Sequence, residues 1–153
     1  MNSFKKFLSL ALVVSVILLC FTGCESAYAT SFSNYTDYEG VYIMVEEIRA
    51  DGLNEILSVV WHNDTDYTVT FGLNYTVEVY SHGEWKSVQV TDFAIPEIAC
   101  VLEPHSTEAI EYSTEYFNTL VSGDYRIKVW FYVDNGEESI SGSSYAPFAK
   151  GYK

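Results

Sequence analysis

In the stretch DYRIKVWFYV at residues 124–133, Tyr125, Ile127, Val129, Phe131 and Val133 hold one set of alternate positions, and Asp124, Arg126, Lys128, Trp130 and Tyr132 hold the other. Successive side chains of a β-strand leave on opposite faces, so this spacing gives one apolar face and a second face that mixes charge with two more aromatics. A helix would scatter both sets around its circumference. Asp134-Asn135-Gly136 follows as a hairpin signal, because Asn and Gly accept the backbone that tight turns between strands demand.

The same period of two governs the chain from Gly40 onward. Leu57, Val59 and Trp61 alternate with Ser58, Val60 and His62 until Asn63-Asp64-Thr65-Asp66 interrupts them; Tyr75, Val77 and Val79 alternate with Asn74, Thr76 and Glu78. Ser81-His82-Gly83-Glu84 marks a turn into a strand at 85–90, and further strands are expected at 41–49, 98–102, 108–112 and 139–148. About eight strands with turns near every ten residues predict an all-β fold, two antiparallel sheets packed as a sandwich of about 7–9 strands spanning 40–150.

The beginning of the chain follows a different rule. Lys5 and Lys6 precede a mostly apolar, uncharged run of 15 residues, the charged and greasy parts of a signal peptide. A bilayer-spanning helix takes about 20 apolar residues, so the run is short for a permanent anchor. Phe21-Thr22-Gly23-Cys24 closes it and resembles the lipobox of bacterial lipoprotein signal peptides, although Phe21 stands where Leu is usual. The resemblance implies cleavage after residues 1–23, lipidation of the Cys24 sulfur, acylation of the new amino terminus with palmitate-type chains, and residence on the extracytoplasmic face of the cell membrane. An uncleaved anchor and simple secretion are the alternatives. Residues 24–39, rich in Ser, Thr and Tyr, read as a flexible tether; their last 15 would reach roughly 23 Å.

Loss of Lys5 and Lys6 from the 8 basic residues would leave 6 against 21 acidic ones, a formal charge of −15. Such a surface repels phosphate backbones, which excludes nucleic acid as a partner. Cleavage would also remove Cys20, and lipidation would consume Cys24, leaving Cys100 without a disulfide partner. In IACVL it reads as a small core hydrophobe.

Leu120, Gly123 and Tyr125 resemble the tyrosine corner of immunoglobulin-like sandwiches, in which a Tyr at the start of a core strand bonds its hydroxyl to the backbone just upstream. More broadly, residues 40–148 resemble a bacterial immunoglobulin-like domain found in surface lipoproteins of Gram-positive bacteria. The motifs that carry the likeness are Leu57, Val59 and Trp61 before Asn63; Phe71, Gly72 and Tyr75 to Glu78; Gly83-Glu84-Trp85; Leu102, Pro104 and Ser106; and Leu120 with Gly123 to Ile127. His105 departs from the pattern, which has Gly after the Pro. The resemblance implies a sandwich without catalysis and brings no cofactor and no ligand residues.

Motifs for chemistry are sparse. His62, His82 and His105 are dispersed, with no HExxH, and no Gly-x-Ser-x-Gly elbow occurs, so neither a metal centre nor a catalytic set is expected. The acidic turns at 64–66 and 134–138 raise calcium, but the twelve-residue loop register is missing and Asp, Asn and Gly favour turns for local reasons. The candidate binding face is Trp130 and Tyr132, joined by Tyr80 and Trp85 from neighbouring strands. The competing expectation is that these aromatics only brace the outer face or lie under a covering segment. Two functions follow: a membrane-tethered immunoglobulin-like module that meets an envelope protein, or a lipid-anchored accessory protein that holds a solute or glycan on the aromatic face.

Overall fold

A computed structural model describes residues 32–91 and 98–151. The signal segment, the lipobox and Cys24 lie outside the described residues. The strands are β1 (Tyr35–Thr36), β2 (Val41–Asp51), β3 (Asn54–Asn63), β4 (Thr68–Ser81), β5 (Glu84–Ser87), β6 (Ala99–Leu102), β7 (Ser106–Ser113), β8 (Gly123–Asp134) and β9 (Ser139–Lys150), with one 3-10 turn at Thr114–Tyr116. One sheet runs β1-β9-β8-β4-β5, with β6 also on β4; the other runs β2-β3-β7. All pairings are antiparallel, and the two sheets form a β-sandwich.

Both sheets bury the apolar set that the alternation defines. Strand β8 contributes Tyr125, Ile127, Val129, Phe131 and Val133; β3 contributes Leu57, Val59 and Trp61; β4 contributes Val69, Phe71, Tyr75 and Val77. Each fully buried aliphatic or Phe side chain stabilises the fold by about 1.5–3 kcal/mol. At the centre Trp61 stacks on Phe71 with ring centroids 4.0 Å apart and donates Nε1–H to the Tyr112 hydroxyl at 3.1 Å. The polar tip of a large buried ring is thereby satisfied.

Two interruptions of the period have physical causes. In β2, Val45 faces Val59 but Glu47 faces Ser58, so Glu46 is an extra residue and the bulge flips the phase: Val41 and Ile43 point inward before it, Ile48 after it, opposite Leu57. In β4, Phe71 faces Phe131 and Tyr75 faces Val129, so β4 spends four residues where β8 spends two. At Gly142, opposite Phe131, an added Cβ would stand 2.5 Å from the Phe131 ring; only glycine lets β9 pass.

Part of the segment expected to be tether belongs to the sandwich. Tyr35 and Thr36 pair with Tyr145 and Ser144, and the Asp37 carboxylate receives Ser143 N–H at 2.5 Å and its hydroxyl at 2.8 Å. The sandwich therefore begins before Gly40, because backbone groups of 35–37 cap the open edge of β9, a pairing that no side-chain period announces. The strand expected at 85–90 ends at Ser87, after which Val90 bridges to Phe117.

His105 takes φ +52, the left-handed region that glycine enters freely. Its strain, about 1 kcal/mol, is offset in part by Nε2 lying 2.8 Å from Asp66 Oδ1. The hairpin between β4 and β5 likewise puts both His82 (φ 54) and Gly83 (φ 87) in that region, as primed turns require.

Tyr125 is buried, stacks on Phe148 and donates its hydroxyl to the Val121 carbonyl at 2.7 Å, with buried Leu120 alongside and Gly123 opening β8. Tyr125→Phe should cost about 1 kcal/mol in urea unfolding, the net worth of one such bond; an unchanged midpoint would deny the bond any role. Burial also holds the Tyr75 and Tyr112 hydroxyls protonated well above the ordinary tyrosine range, and raises Tyr125 for the same reason. The unfolded chain releases these protons from about pH 10 while the folded chain keeps them, so stability should be full below that pH and fall above it. Denaturation midpoints taken at increasing alkaline pH check this, and Tyr75→Phe should flatten the decline.

Candidate functional site

The outward row of β8 is Asp124, Arg126, Lys128, Trp130 and Tyr132, and its neighbours decide which of these are covered. Opposite Arg126 stand Glu78 and Pro147; opposite Lys128 stand Thr76 and Tyr145; opposite Trp130 stands Ser143; opposite Tyr132 stand Thr70 and Ser141. Small neighbours beside Trp130 and Tyr132 leave both rings open, at 42% and 55% exposure.

The face divides into a closed part and an open part. In the closed part Trp85 and Tyr80 face each other across β4 and β5, and Phe32 packs against both, at centroid distances of 4.8 Å and 4.6 Å. The Arg126 guanidinium lies between the Trp85 ring at 4.5 Å and the Tyr145 ring at 4.4 Å, and its Nε donates to Glu78 Oε2 at 2.5 Å. Planar guanidinium suits such stacking. In the open part Lys128 Nζ sits 5.1 Å from both the Trp130 and Tyr145 rings, and Tyr35 packs on Tyr145 at 5.6 Å while remaining well exposed. From Arg126 to Trp130 the row runs about 13 Å along one strand.

Of the four aromatics the sequence placed on this face, Trp130 and Tyr132 are open, Tyr80 keeps one edge exposed, and Trp85 is half-buried beneath Phe32 and beside Arg126. Among the described residues, Phe32 covers the Trp85 end and leaves Trp130 and Tyr132 open. Phe32, Tyr35 and Tyr145 were missed. Tyr145 was readable, since Ala146 and Phe148 point inward and an odd step puts Tyr145 outward. Phe32 and Tyr35 fell in an apparent tether and carried no period.

Other candidates have local structural explanations. At 134–138 the Asp134 carboxylate accepts Gly136 N–H, and the Asn135 side-chain oxygen accepts the N–H groups of Glu137 and Glu138. Asn63 is fully buried; its amide nitrogen donates to the carbonyls of Tyr67, Leu102 and Glu103, and its oxygen accepts Thr65. Among the described residues no three His, Cys, Asp or Glu side chains gather as a metal set. His62 stacks flat on Tyr42 on the other sheet, His82 bonds with Ser81, and His105 meets Asp66. Cys100 packs beside the core opposite Phe71, where burial, followed by Glu108, pushes its thiol pKa up, away from the thiolate form.

The division of the face is measurable. Trp85→Ala removes the common partner of Phe32, Tyr80 and Arg126 and should cost about 2 kcal/mol in urea unfolding, below the cost for a fully buried ring. Trp130→Ala should cost about 0.5 kcal/mol or less, since it removes an exposed ring and one cation contact. Equal losses would mean that the open end is structural.

Comparison with known proteins bears on the whole domain. No curated protein matches the chain. A family model does, described as a bacterial Ig-like domain and aligned to residues 37–142, which include β2 through β8 and begin inside the segment first read as tether. The chain belongs to the bacterial Ig-like domain family.

Proposed function

We propose that this protein is an acyl-anchored module on the extracytoplasmic face of the cell membrane, which meets a component of the envelope through the open half of its outer sheet face. A bacterial Ig-like domain points to a structural or binding role without catalysis. The observation that carries the binding reading is the exposure of Trp130 and Tyr132 beside Lys128 on a rigid central strand, where aromatic anchors lose little entropy on contact. Anchoring rests on the lipobox around Cys24. Only residues 25–31 separate Cys24 from the first described residue, and the chain from Cys24 to Phe32 spans about 29 Å at most. The domain would then stand close above the membrane.

The partner is an envelope protein on the first reading. The second reading, a glycan-binding accessory protein, is favoured by the chemistry of the open end: rings rimmed with hydroxyls from Tyr35, Tyr132, Tyr145 and Ser141 offer stacking surfaces with polar edges and suit a ligand that is itself polar all round.

Both parts are open to test in the native host. Labelled palmitate should enter the wild-type protein and not Cys24→Ala, which should leave the membrane fraction. Capture from envelope extracts should recover a component with wild type and lose it with Trp130→Ala. A lost protein supports the first reading, a lost oligosaccharide the second, and capture indifferent to Trp130 refutes the face.

A further inference from the structure

The described residues contain five basic side chains, and four of them are matched to acids. Arg49 meets Glu111 at 3.1 Å, Lys86 meets Glu84 at 3.0 Å, Arg126 meets Glu78 at 2.5 Å and Lys150 meets Glu55 at 2.6 Å. Among the described residues Lys128 alone has no carboxylate within ion-pair distance. In a chain with 21 acidic residues against 8 basic ones, an unmatched cation runs against the general balance. The position is also fixed rather than free: Nζ lies over two rings, and its neighbour on β4 is the neutral Thr76. Ring faces attract an ammonium but do not neutralise it.

We propose that the open end of the face recognises a sugar chain bearing sparse carboxylates, an inference that rests on the glycan reading above. The Lys128 ammonium takes one carboxylate in a charge-assisted hydrogen bond, and the faces of Trp130 and Tyr132 take the apolar faces of adjoining rings. The rest of the surface supports sparse charge over dense charge, because the acidic excess repels a polyphosphate or a heavily sulfated chain at long range while one carboxylate per disaccharide is met locally. An acidic peptide would match the Lys128 charge equally well, but open ring faces edged with tyrosine hydroxyls suit the apolar face and polar rim of a sugar ring.

The test uses the full-length chain in detergent micelles, titrated with hyaluronan tetrasaccharide, its methyl ester and triglutamate, followed by tryptophan fluorescence and calorimetry. The tetrasaccharide should bind wild type; Lys128→Met and esterification should each weaken binding about tenfold, the worth of one charge-assisted bond. Lys128→Arg should keep most of the affinity, and added salt should reduce it. Equal binding of acid and ester, or no effect of Lys128→Met, overturns carboxylate recognition and leaves the glycan reading standing. Failure of both sugars to bind overturns both. Binding of triglutamate in place of the sugars overturns the proposal in favour of an acidic protein partner. Should Lys128→Met not fold, the ester and Lys128→Arg arms decide alone.

Discussion

The register of β8 between β4 and β9 fixes most of what this molecule is. Paired along most of its length on both sides, β8 cannot slip by one residue without sending Tyr125, Ile127, Val129, Phe131 and Val133 into water and its charges into the core. The core and the outer face are consequently set by a single choice. Once Phe131 is opposite Phe71 and Gly142, Trp130 must be outside beside Ser143, and Lys128 must be beside Tyr145. The candidate site is therefore a by-product of core register and inherits its rigidity.

Legibility in the sequence followed the same logic. Where a strand is buried on one face and obeys period two without interruption, as in β3 and β8, its residues gave both the element and the inward set. Where a bulge changes phase, the alternation breaks: Glu46 and Glu47 hid the inward role of Ile48, and the extra residues between Phe71 and Tyr75 hid the continuity of β4. The tyrosine corner was readable because it is local, its two ends, Val121 and Tyr125, four positions apart. Pairing of Tyr35 and Thr36 was not, since two residues held by backbone hydrogen bonds and a single Asp side chain display no pattern.

The site was legible in part for a related reason. Alternation tells which side of a sheet a residue takes, so Trp130 and Tyr132 were placed outside from the sequence alone. It cannot tell what lies across the strand, and cross-strand neighbours decide exposure. Trp85 is shielded because Phe32 and Arg126 meet it, and Trp130 is open because serine is its neighbour on β9. The positive charge was hidden more deeply still: basic residues look alike in a list, and among the five described only the pairing of the others with Glu111, Glu84, Glu78 and Glu55 sets Lys128 apart.

The short edge strand joins these points to the proposed location. Tyr35 belongs to the aromatic face through Tyr145, and Phe32 covers its other end, so the chain enters the sandwich across the very sheet that carries the candidate site. An acyl anchor at Cys24 would lie within about 29 Å of Phe32 along the chain. A ligand for Trp130 and Lys128 must then reach the space just above the bilayer, which favours components that extend close to the membrane over those confined to the outer layers of the envelope. It also couples the two halves of the proposal: lengthening the segment before Phe32 moves the face away from the membrane without touching a single side chain of the site.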